Sequence, residues 1–172
     1  WIEEIRRQMT GKRPSSSTQF VVGAVDERDV EILSTTEFLY RRAGLARAYF
    51  SRFSPVDDTP LADRPPADPA REHRLYQSSF LLRDYGFTAE ELAFDAGGNL
   101  PLDTDPKLAW AQQHLAQHPV ELNRADRETL LRVPGIGPVG AQRVLTARRQ
   151  GRLRELVDLR KLRIVADRAA PY

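Results

Sequence analysis

The sequence contains no cysteine in its 172 residues. This absence excludes disulfide bonds, and it excludes any metal or iron–sulfur site whose thiolate ligands would come from this chain. No apolar run is long enough to span a membrane and no signal peptide is visible, so we expect no membrane partner and a cytoplasmic location. The sequence also shows no Ser/His/Asp arrangement and no nucleotide P-loop, and we assign no catalytic residue.

Charge is distributed unevenly along the chain, although the net charge is only +2. Residues 121–172 contain 11 arginines and one lysine against six acidic residues, which gives a net charge of +6, whereas residues 1–120 carry −4. A basic end on a mildly acidic body predicts a localised anionic partner. The hydrophobic content of 41% and the charged content of 29% are ordinary for a globular protein.

Residues 1–56 are predicted to form an α/β segment. After a short amphipathic helix, the apolar run 19–24 predicts a buried strand, residues 28–42 a helix and residues 45–51 a second strand. Strand, helix and strand in this order predict a parallel pair within a larger sheet. Because two strands do not make a stable sheet alone, and because the chain begins with Trp1 rather than Met, we expect it to be a piece of a longer protein.

Residues 57–118 are predicted to be a proline-rich linker followed by a helical connector. Asp68-Pro69 begins a predicted helix that runs to about residue 85, and Thr88 to Glu91 form a capping box that opens a short helix. Asp105-Pro106 begins a further predicted helix to about residue 117. Two histidines near its end have i, i+4 spacing, but no third ligand is evident and we predict no metal site.

The most informative stretch is residues 130–145, in which a Pro-Gly-Ile-Gly turn joins two predicted helices. Gly135 and Gly137 supply backbone freedom and leave main-chain N–H groups uncovered, while Ile136 anchors the turn in the core. Pro138 suits the first position of the second helix, where its missing N–H costs nothing. Unpaired N–H groups at the positive end of a helix predict a phosphate site.

The flanking sequence predicts a basic helical domain over residues 119–172. Asn123 is predicted to cap the first helix with Asp126 in its first turn, and Gly151 is predicted to end the second helix. Residues 153–165 are predicted to contain the third helix of a two-hairpin unit, and the second hairpin of that unit has Arg163-Ile164-Val165 where a Gly-x-Gly would be expected. We therefore expect this half to be mainly structural, and we find no internal repeat in the sequence.

The turn and its flanks resemble the helix-hairpin-helix motif, by which many repair and recombination proteins grip the DNA backbone. Such contacts carry no base information, and with about 2–4 phosphates neutralised we expect a Kd on the order of 10⁻⁴–10⁻⁶ M that rises steeply with salt. Valine at both Gly135 and Gly137 is expected to weaken binding while leaving the fold largely intact. The predicted DNA-binding residues are Gly135, Ile136, Gly137, Gly140, Arg143, Arg148 and Arg149.

Motifs in a defined order span nearly the whole chain: residues 17–24, 47–56, 71–77, 103–110 and the hairpin segment. This ordered set resembles the C-terminal part of the DNA modification/repair radical S-adenosylmethionine proteins. The resemblance implies an α/β fragment, the last βαβ part of a partial radical-SAM barrel, followed by a mainly α region with a C-terminal helix-hairpin-helix domain. It also implies that S-adenosylmethionine and a [4Fe–4S] cluster belong to the parent protein, with the cluster-binding cysteines outside this chain.

The same resemblance implies a cofactor-binding surface on the two strands. Residues 19–26 are similar to the G-x-I-x-G-x-x-E pattern that many radical enzymes pack against the adenine of the cofactor, although the first and last positions differ. Gly23 would let the backbone approach the ligand, and Val21 would supply an apolar contact. Tyr49 and Phe50 would pass beside the adenine. The alternative, which the sequence leaves open, is that all four residues are strand core.

Three functions remain open from the sequence. The leading one is the C-terminal portion of a radical SAM enzyme in DNA modification or repair, with DNA and the N-terminal remainder of the same protein as partners. The second is a non-enzymatic DNA-binding adaptor, which the absence of an upstream cysteine triad would favour. The third is a protein-interaction domain, which a lack of affinity for duplex DNA at low salt would favour.

Overall fold

The computed structural model describes residues 1–11 and 14–172, without the side chain of Glu3. Within these ranges the chain is a mixed α/β protein with eight α-helices and a two-stranded parallel sheet. In chain order, the elements are α1 (Ile2–Gln8), β1 (Ser17–Val22), α2 (Asp29–Arg42), β2 (Arg47–Arg52), α3 (Pro69–Asp84), a 3₁₀ turn (Ala89–Glu91), α4 (Pro106–His114), α5 (Arg127–Arg132), α6 (Pro138–Ala147), α7 (Leu156–Lys161) and α8 (Ala166–Ala169). None of these helices has the length and apolar character needed to cross a bilayer.

The two strands pair in parallel, with Gln19 opposite Tyr49. This pairing confirms the predicted strand–helix–strand unit. The prediction of a buried first strand was wrong, because burial alternates along β1: Val22 is buried, whereas Val21 is 55% exposed. Successive side chains of a strand point to opposite faces, so this sheet buries one face and exposes the other.

The first core lies between the buried face of the sheet and helices α2 and α3. Leu33 on α2 and Leu75 on α3 are fully buried there, and the rings of Phe20 and Phe50 stack with 5.7 Å between their centroids. The same cluster continues through the chain after α3 as far as Leu100. Helix α3, which was assigned to the connector from the sequence, therefore packs as part of the α/β unit.

A buried ion pair fixes this first unit. The Asp29 carboxylate is fully buried and accepts from Arg71 Nε at 2.7 Å and from the Leu100 N–H at 2.9 Å. Arg71 also donates to the Glu27 carbonyl at 2.6 Å. Because both carboxylate oxygens have donors, the pair ties α2, α3 and the segment before α4 together and leaves no reactive group.

The second core joins α4 to the four C-terminal helices. Leu130, Ile136 and Val144 have no exposed surface, and α4 contributes Ala111 and Leu115 to the same cluster. Trp110 of α4 packs against both cores. Helix α4 therefore belongs with the C-terminal helices, so that the predicted connector is divided between the two cores.

Several predicted helix starts are confirmed by their caps. The Asp68 carboxylate accepts from the Ala70 N–H at 2.7 Å at the start of α3, and the Asp105 carboxylate accepts from the Leu108 N–H at 3.0 Å at the start of α4. Pro138 is the first residue of α6. These starts were predictable because a cap involves residues two or three positions apart.

The cap of α5 differs from the prediction. Asp126 caps this helix, accepting from the Thr129 N–H at 2.7 Å. Asn123 instead pairs with the main chain of Leu153, donating through Nδ2 and accepting through Oδ1, each at 2.9 Å. Asn123 thus joins two distant segments, a contact that the sequence around α5 does not indicate.

Two helices end earlier than predicted. Helix α4 stops at His114, so His118 lies beyond it and the two histidines do not share a helix face. Helix α6 stops at Ala147, before Gly151. The residues after each stop form turns in place of further helix.

The C-terminal half contains two helical hairpins of the same design, α5–α6 and α7–α8. The turn residue in each is left-handed, with φ of +84° at Gly135 and +56° at Arg163, and a buried isoleucine follows, Ile136 or Ile164. These hairpins agree with the predicted two-hairpin unit, whereas the expectation of no internal repeat was wrong, because the repeat lies in buried positions at a constant offset of 28 residues. The other matching buried pairs are Leu131 with Leu159 and Ala141 with Ala169.

Candidate functional site

The Gly135 turn, residues 133–137, joins α5 to α6. Ile136 is fully buried, and its N–H donates to the Val133 carbonyl at 3.1 Å. Within the described part of the chain, the N–H groups of Gly135 and Gly137 have no acceptor, and both residues are half-buried. The turn thus offers two unpaired donors rather than three, because Ile136 is satisfied internally.

Helix α6 adds donors at the same end. The N–H groups of Val139 and Gly140, in its first turn, also have no acceptor among the residues that the structure describes. Helix α6 has ten residues, and its aligned peptide dipoles place partial positive charge at this end. Unpaired donors at a positive helix end are suited to binding an anion.

Two glycines of this region are required by packing between the hairpins. A Cβ at Gly135 would lie 2.5 Å from the Val165 carbonyl oxygen and 3.2 Å from Arg168 Cβ. A Cβ at Gly140 would lie 3.3 Å from Ile164 Cγ1. Gly135 and Gly140 therefore let the second hairpin approach the first, whatever they contact in a ligand.

The expectation that valine at Gly135 would leave the fold intact is therefore wrong. A side chain there meets a main-chain oxygen and must also adopt a left-handed backbone. Gly137 is different, because its φ of −100° is ordinary and a Cβ would meet only the Tyr85 hydroxyl, at 3.1 Å. Of the two glycines, Gly137 is the one whose substitution would act on the ligand side of the turn.

A cavity of about 770 Å³ opens beside the Gly135 turn, and we call it the turn cavity. Residues 135–138 form part of its wall, and α3, α4, α5 and α8 each contribute side chains. Each acid of the lining pairs with an arginine, at 2.9 and 3.5 Å, so the excess positive charge, which favours an anion, comes from Arg127 and from Lys107 when it is protonated. The charged residues of the lining are Arg83, Asp84, Asp105, Lys107, Arg127 and Arg168.

Lys107 connects α4 to the turn. Its side chain is 8% exposed, and Nζ donates to the Ile136 carbonyl at 2.6 Å. Nζ also lies 4.8 Å from the centroid of the Tyr85 ring. This contact joins residues 29 positions apart in the chain, which is why the sequence around the hairpin did not indicate it.

The charge of Lys107 is sensitive to pH near neutrality. The pKa of Lys107 is lowered to about 7, chiefly by burial of the ammonium group. The Asp105 carboxylate opposes this shift, whereas Arg168 and Arg132 add to it. Burial also raises the pKa of Tyr85, so its hydroxyl stays protonated.

The structure does not bring the predicted arginines to the turn. Arg143 Nη1 donates to the Leu162 carbonyl at 3.1 Å, and Arg148 Nη1 donates to two carbonyls before α5, at 3.0 and 2.6 Å. Arg149 is exposed beyond the C-terminal end of α6, which is about 15 Å long. Arg143 and Arg148 thus hold segments of the chain together, and Arg149 lies at the end of α6 away from the turn.

The four residues predicted to bind a cofactor do not line one surface. Val21 and Tyr49 are on the exposed face of the sheet, and Phe50 is 2% exposed on the opposite face. Gly23 has φ +86°, but a Cβ there would lie 2.7 Å from Ala67 Cβ, so the chain itself fills that space. These residues fit strand and turn packing, and together they do not fit an adenine ring.

Metal-binding side chains are not grouped either. The described residues contain no cluster of three or more His, Cys, Asp or Glu side chains that could hold a metal ion. The His114 ring stacks on Trp110 with 4.4 Å between centroids, and its Nδ1 lies 2.8 Å from the Trp110 carbonyl. Because the chain has no cysteine, it offers no thiolate ligand to an iron–sulfur cluster.

Comparisons of the chain with family models, with curated proteins and with solved structures find no match. The geometry and chemistry of the turn cavity are therefore the basis for assigning a function.

Proposed function

We propose that this chain binds the sugar–phosphate backbone of DNA, without sequence preference, at the Gly135 turn. The observation that carries the proposal is that, among the residues the structure describes, the N–H groups of Gly135 and Gly137 at the positive end of α6 have no acceptor, beside a cavity lined by Arg127 and Arg168. Main-chain N–H groups and arginine side chains are donors that proteins use for phosphate oxygens. Such contacts fix position on DNA but do not read bases.

In this proposal, α5 and α6 form a helix-hairpin-helix motif and α7 and α8 a second, modified copy. Support comes from the left-handed residue and buried isoleucine in each turn. The second hairpin packs directly on the first turn, since the Val165 carbonyl and Arg168 lie against Gly135. It holds the first turn in place and brings Arg168 to the turn cavity.

We further propose that the chain is the DNA-holding portion of a radical SAM protein of DNA modification or repair. The support is the order of the sequence motifs together with the parallel β1–α2–β2 unit. The cluster and S-adenosylmethionine would be held by the parent protein outside this chain, because these residues fit neither group. In this proposal, the role of the chain is to bind and orient DNA.

Titration of a short labelled duplex, followed by fluorescence anisotropy, tests the DNA-binding proposal. We expect a Kd on the order of 10⁻⁴–10⁻⁶ M, equal for duplexes of different sequence, with a salt dependence that reports about 2–4 phosphates. Arg127→Ala and Arg168→Ala should each reduce the slope of log Kd against log salt by about one. Arg42→Ala, the same charge change in the last turn of α2, should leave the slope unchanged.

Titration of a ¹⁵N-labelled sample tests the donors directly. The amide signals of Gly135 and Gly137 should shift on addition of duplex, whereas the internally bonded Ile136 N–H should shift less. A folded chain with no affinity for duplex at low salt would contradict the proposal and favour a protein-interaction domain. An equal loss of affinity in Arg42→Ala would show that net charge, and not this site, attracts the DNA.

A further inference from the structure

The two edges of the β1–β2 sheet are built differently, and the outer edge of β2 is closed. In a parallel pair, the N–H groups of alternate residues of each strand face away from the partner strand. Side chains of α2 and α3 already accept from three such groups of β2. These bonds run from the Ala48 N–H to the Tyr40 hydroxyl at 3.2 Å, from the Phe50 N–H to the Tyr76 hydroxyl at 3.1 Å and from the Arg52 N–H to the Glu72 carboxylate at 2.7 Å. A further strand cannot pair with β2 without displacing these side chains.

The outer edge of β1 is open. The register of the sheet turns the main-chain groups of Ser17, Gln19 and Val21 away from β2. Within the described residues, the N–H groups of Gln19 and Val21 have no acceptor and their carbonyls have no donor, and both residues are exposed. The open edge ends after Val22, because the Gly23 N–H donates to the Glu27 carboxylate.

The side chains of β1 do not protect this edge. Proteins commonly block an exposed sheet edge with charged side chains, proline or a bulge. Strand β1 contains no charged residue and no proline, and its register with β2 is continuous. Its outward face adds apolar surface, since Val21 is 55% exposed and Tyr49 on the same face is 41% exposed. An uncharged edge with unpaired main-chain groups is a template for another strand.

We propose that β1 pairs with β1 of a second copy of this chain, so that two sheets join into one four-stranded sheet. Two identical edges that meet in a closed dimer are related by a two-fold axis, which makes the two strands antiparallel. A register centred on Gln19 places this residue opposite its own counterpart and places Ser17 opposite the counterpart of Val21. This register forms about six main-chain hydrogen bonds.

The charges of the sheet permit this pairing. Because β1 carries no charge, no like charges oppose each other across the two-fold axis. The charged residues of the sheet are Arg47 and Arg52 on β2, and three strand spacings, about 14 Å, separate the two β2 strands of the dimer. This separation exceeds the Debye length of about 8 Å at physiological salt. Pairing also gives the sheet four strands, and three or more are needed for a stable sheet.

The open edge of β1 shares no residue with the lining of the turn cavity. The dimer proposal therefore does not rest on the DNA binding proposed above, and either can fail while the other stands.

Sedimentation velocity of the full chain over a range of concentrations tests the proposal. We expect a reversible monomer–dimer equilibrium with a Kd in the micromolar range, because one pair of edge strands makes a small interface. Amide hydrogen exchange locates the contact. The Gln19 and Val21 amides should exchange more slowly as the concentration rises, whereas the Phe50 N–H, bonded to Tyr76, should be protected at every concentration.

Two variants with the same change of charge accompany the test. Gln19→Lys places two lysines opposite each other at the two-fold axis and should raise the dimer Kd by at least about tenfold. Thr35→Lys adds a lysine at an exposed position of α2 and should leave the Kd unchanged. Circular dichroism shows whether each variant is folded.

The outcomes decide between this surface and others. A monomer at every concentration overturns the proposal, and the open edge is then left for a strand of a different polypeptide. A dimer in which the exchange of Gln19 and Val21 does not slow, or which Gln19→Lys does not weaken, overturns it as well, because the copies then meet elsewhere. Equal weakening by Thr35→Lys would show that net charge controls association and would also overturn it. If Gln19→Lys does not fold, amide exchange in the unaltered chain decides.

Discussion

The two turns of the C-terminal half share a backbone design but differ in their free donors. The N–H of Arg163 donates to the Arg160 carbonyl at 2.9 Å, and the N–H of Ile164 donates to the Leu159 carbonyl at 3.1 Å. At the matching position of the first turn, the Gly135 N–H has no acceptor within the described residues. The first turn also opens a helix of ten residues, whereas the second opens one of four.

The comparison shows how one supersecondary unit can serve two purposes. The second turn uses the N–H groups of Arg163 and Ile164 to close its own hairpin, whereas within the described residues the Val165 N–H, like that of Gly137, has no acceptor. The difference between the turns is therefore the donor of the left-handed residue and the length of the helix that follows. In the described part of the chain, the first turn leaves the Gly135 and Gly137 N–H groups without an acceptor at the start of a longer helix dipole, which is the arrangement that suits a phosphate. The two are not independent, because the Val165 carbonyl packs where a side chain at Gly135 would lie.

The largest expected effect comes from substituting the left-handed residue of each turn. Gly135→Ala should lower the free energy of unfolding by about 2–4 kcal/mol, because alanine is strained at φ +84° and its Cβ meets the Val165 oxygen at 2.5 Å. Arg163→Gly should change it by less than about 1 kcal/mol, since relief of strain at φ +56° offsets the added freedom of the unfolded chain. Urea denaturation followed by tryptophan fluorescence measures both, because Trp110 packs against both cores.

Equal destabilisation by the two substitutions would contradict the distinction between the turns. It would mean that the contact between Gly135 and Val165 contributes nothing beyond the backbone conformation. The unfolding m-value should stay constant in both variants, which shows that the same surface is exposed on unfolding.

A smaller effect is expected from Lys107, which has no counterpart at the second turn: in the described part of the chain, no side chain donates to the Ile164 carbonyl. The pKa of Lys107 is lowered from 10.5 to about 7, so between these values the unfolded chain binds more protons than the folded one. Stability should therefore rise with pH above 7, by at most about 1.4 kcal/mol per pH unit.

Lys107→Met should abolish this part of the pH dependence, and denaturation curves between pH 7 and pH 9 check it. Below about pH 7 both states hold the proton, so Lys107 adds no slope there. Lys161→Met, at an exposed position, should keep the slope of the unaltered chain. An unchanged slope in Lys107→Met would show that Lys107 is charged in the folded protein throughout this range.

The smallest effect concerns the contact between the hairpins. Gly140→Ala should change stability by less than about 1 kcal/mol, because the gain in helix propensity is offset by a Cβ 3.3 Å from Ile164 Cγ1. Ile164→Val should cost about 0.5–1.5 kcal/mol. The double variant should lose about 0.5 kcal/mol less than the sum, because the smaller side chain can shift to make room. If the effects of the two substitutions add strictly, a side chain at position 140 and Ile164 do not interact across the two hairpins.

Much of the fold was predictable because its signals are local. The Asp68 and Asp105 caps, Pro138 at the start of α6 and the parallel strand–helix–strand unit all depend on residues close together in the chain. The alternating burial of β1 was missed, because an apolar run does not show whether one face of a strand lacks a partner. The predicted cap of α5 was wrong because Asn123 hydrogen-bonds with the main chain of Leu153 instead.

The candidate site was predictable only in part. The sequence indicated the Gly135 turn, but not that Arg143 and Arg148 are occupied by carbonyls of the chain itself. It did not indicate that Lys107 and Arg168 face the same cavity as the turn. Basic residues near a motif in sequence can point in any direction around a helix, so proximity along the chain does not show which of them meet a ligand.

By itself, the sequence determined where the chain turns, where most helices begin and that its charge is concentrated toward the C-terminus, because these properties depend on neighbouring residues and composition. Only the tertiary structure decided that, within the described residues, the donors of Gly135 and Gly137 have no acceptor, that the Ile136 N–H is satisfied and that Lys107 is buried against the turn. The physical reason is that hydrogen bonds and burial depend on which distant segments pack together. A residue in α4 and a carbonyl 29 positions later meet only when the second core has formed.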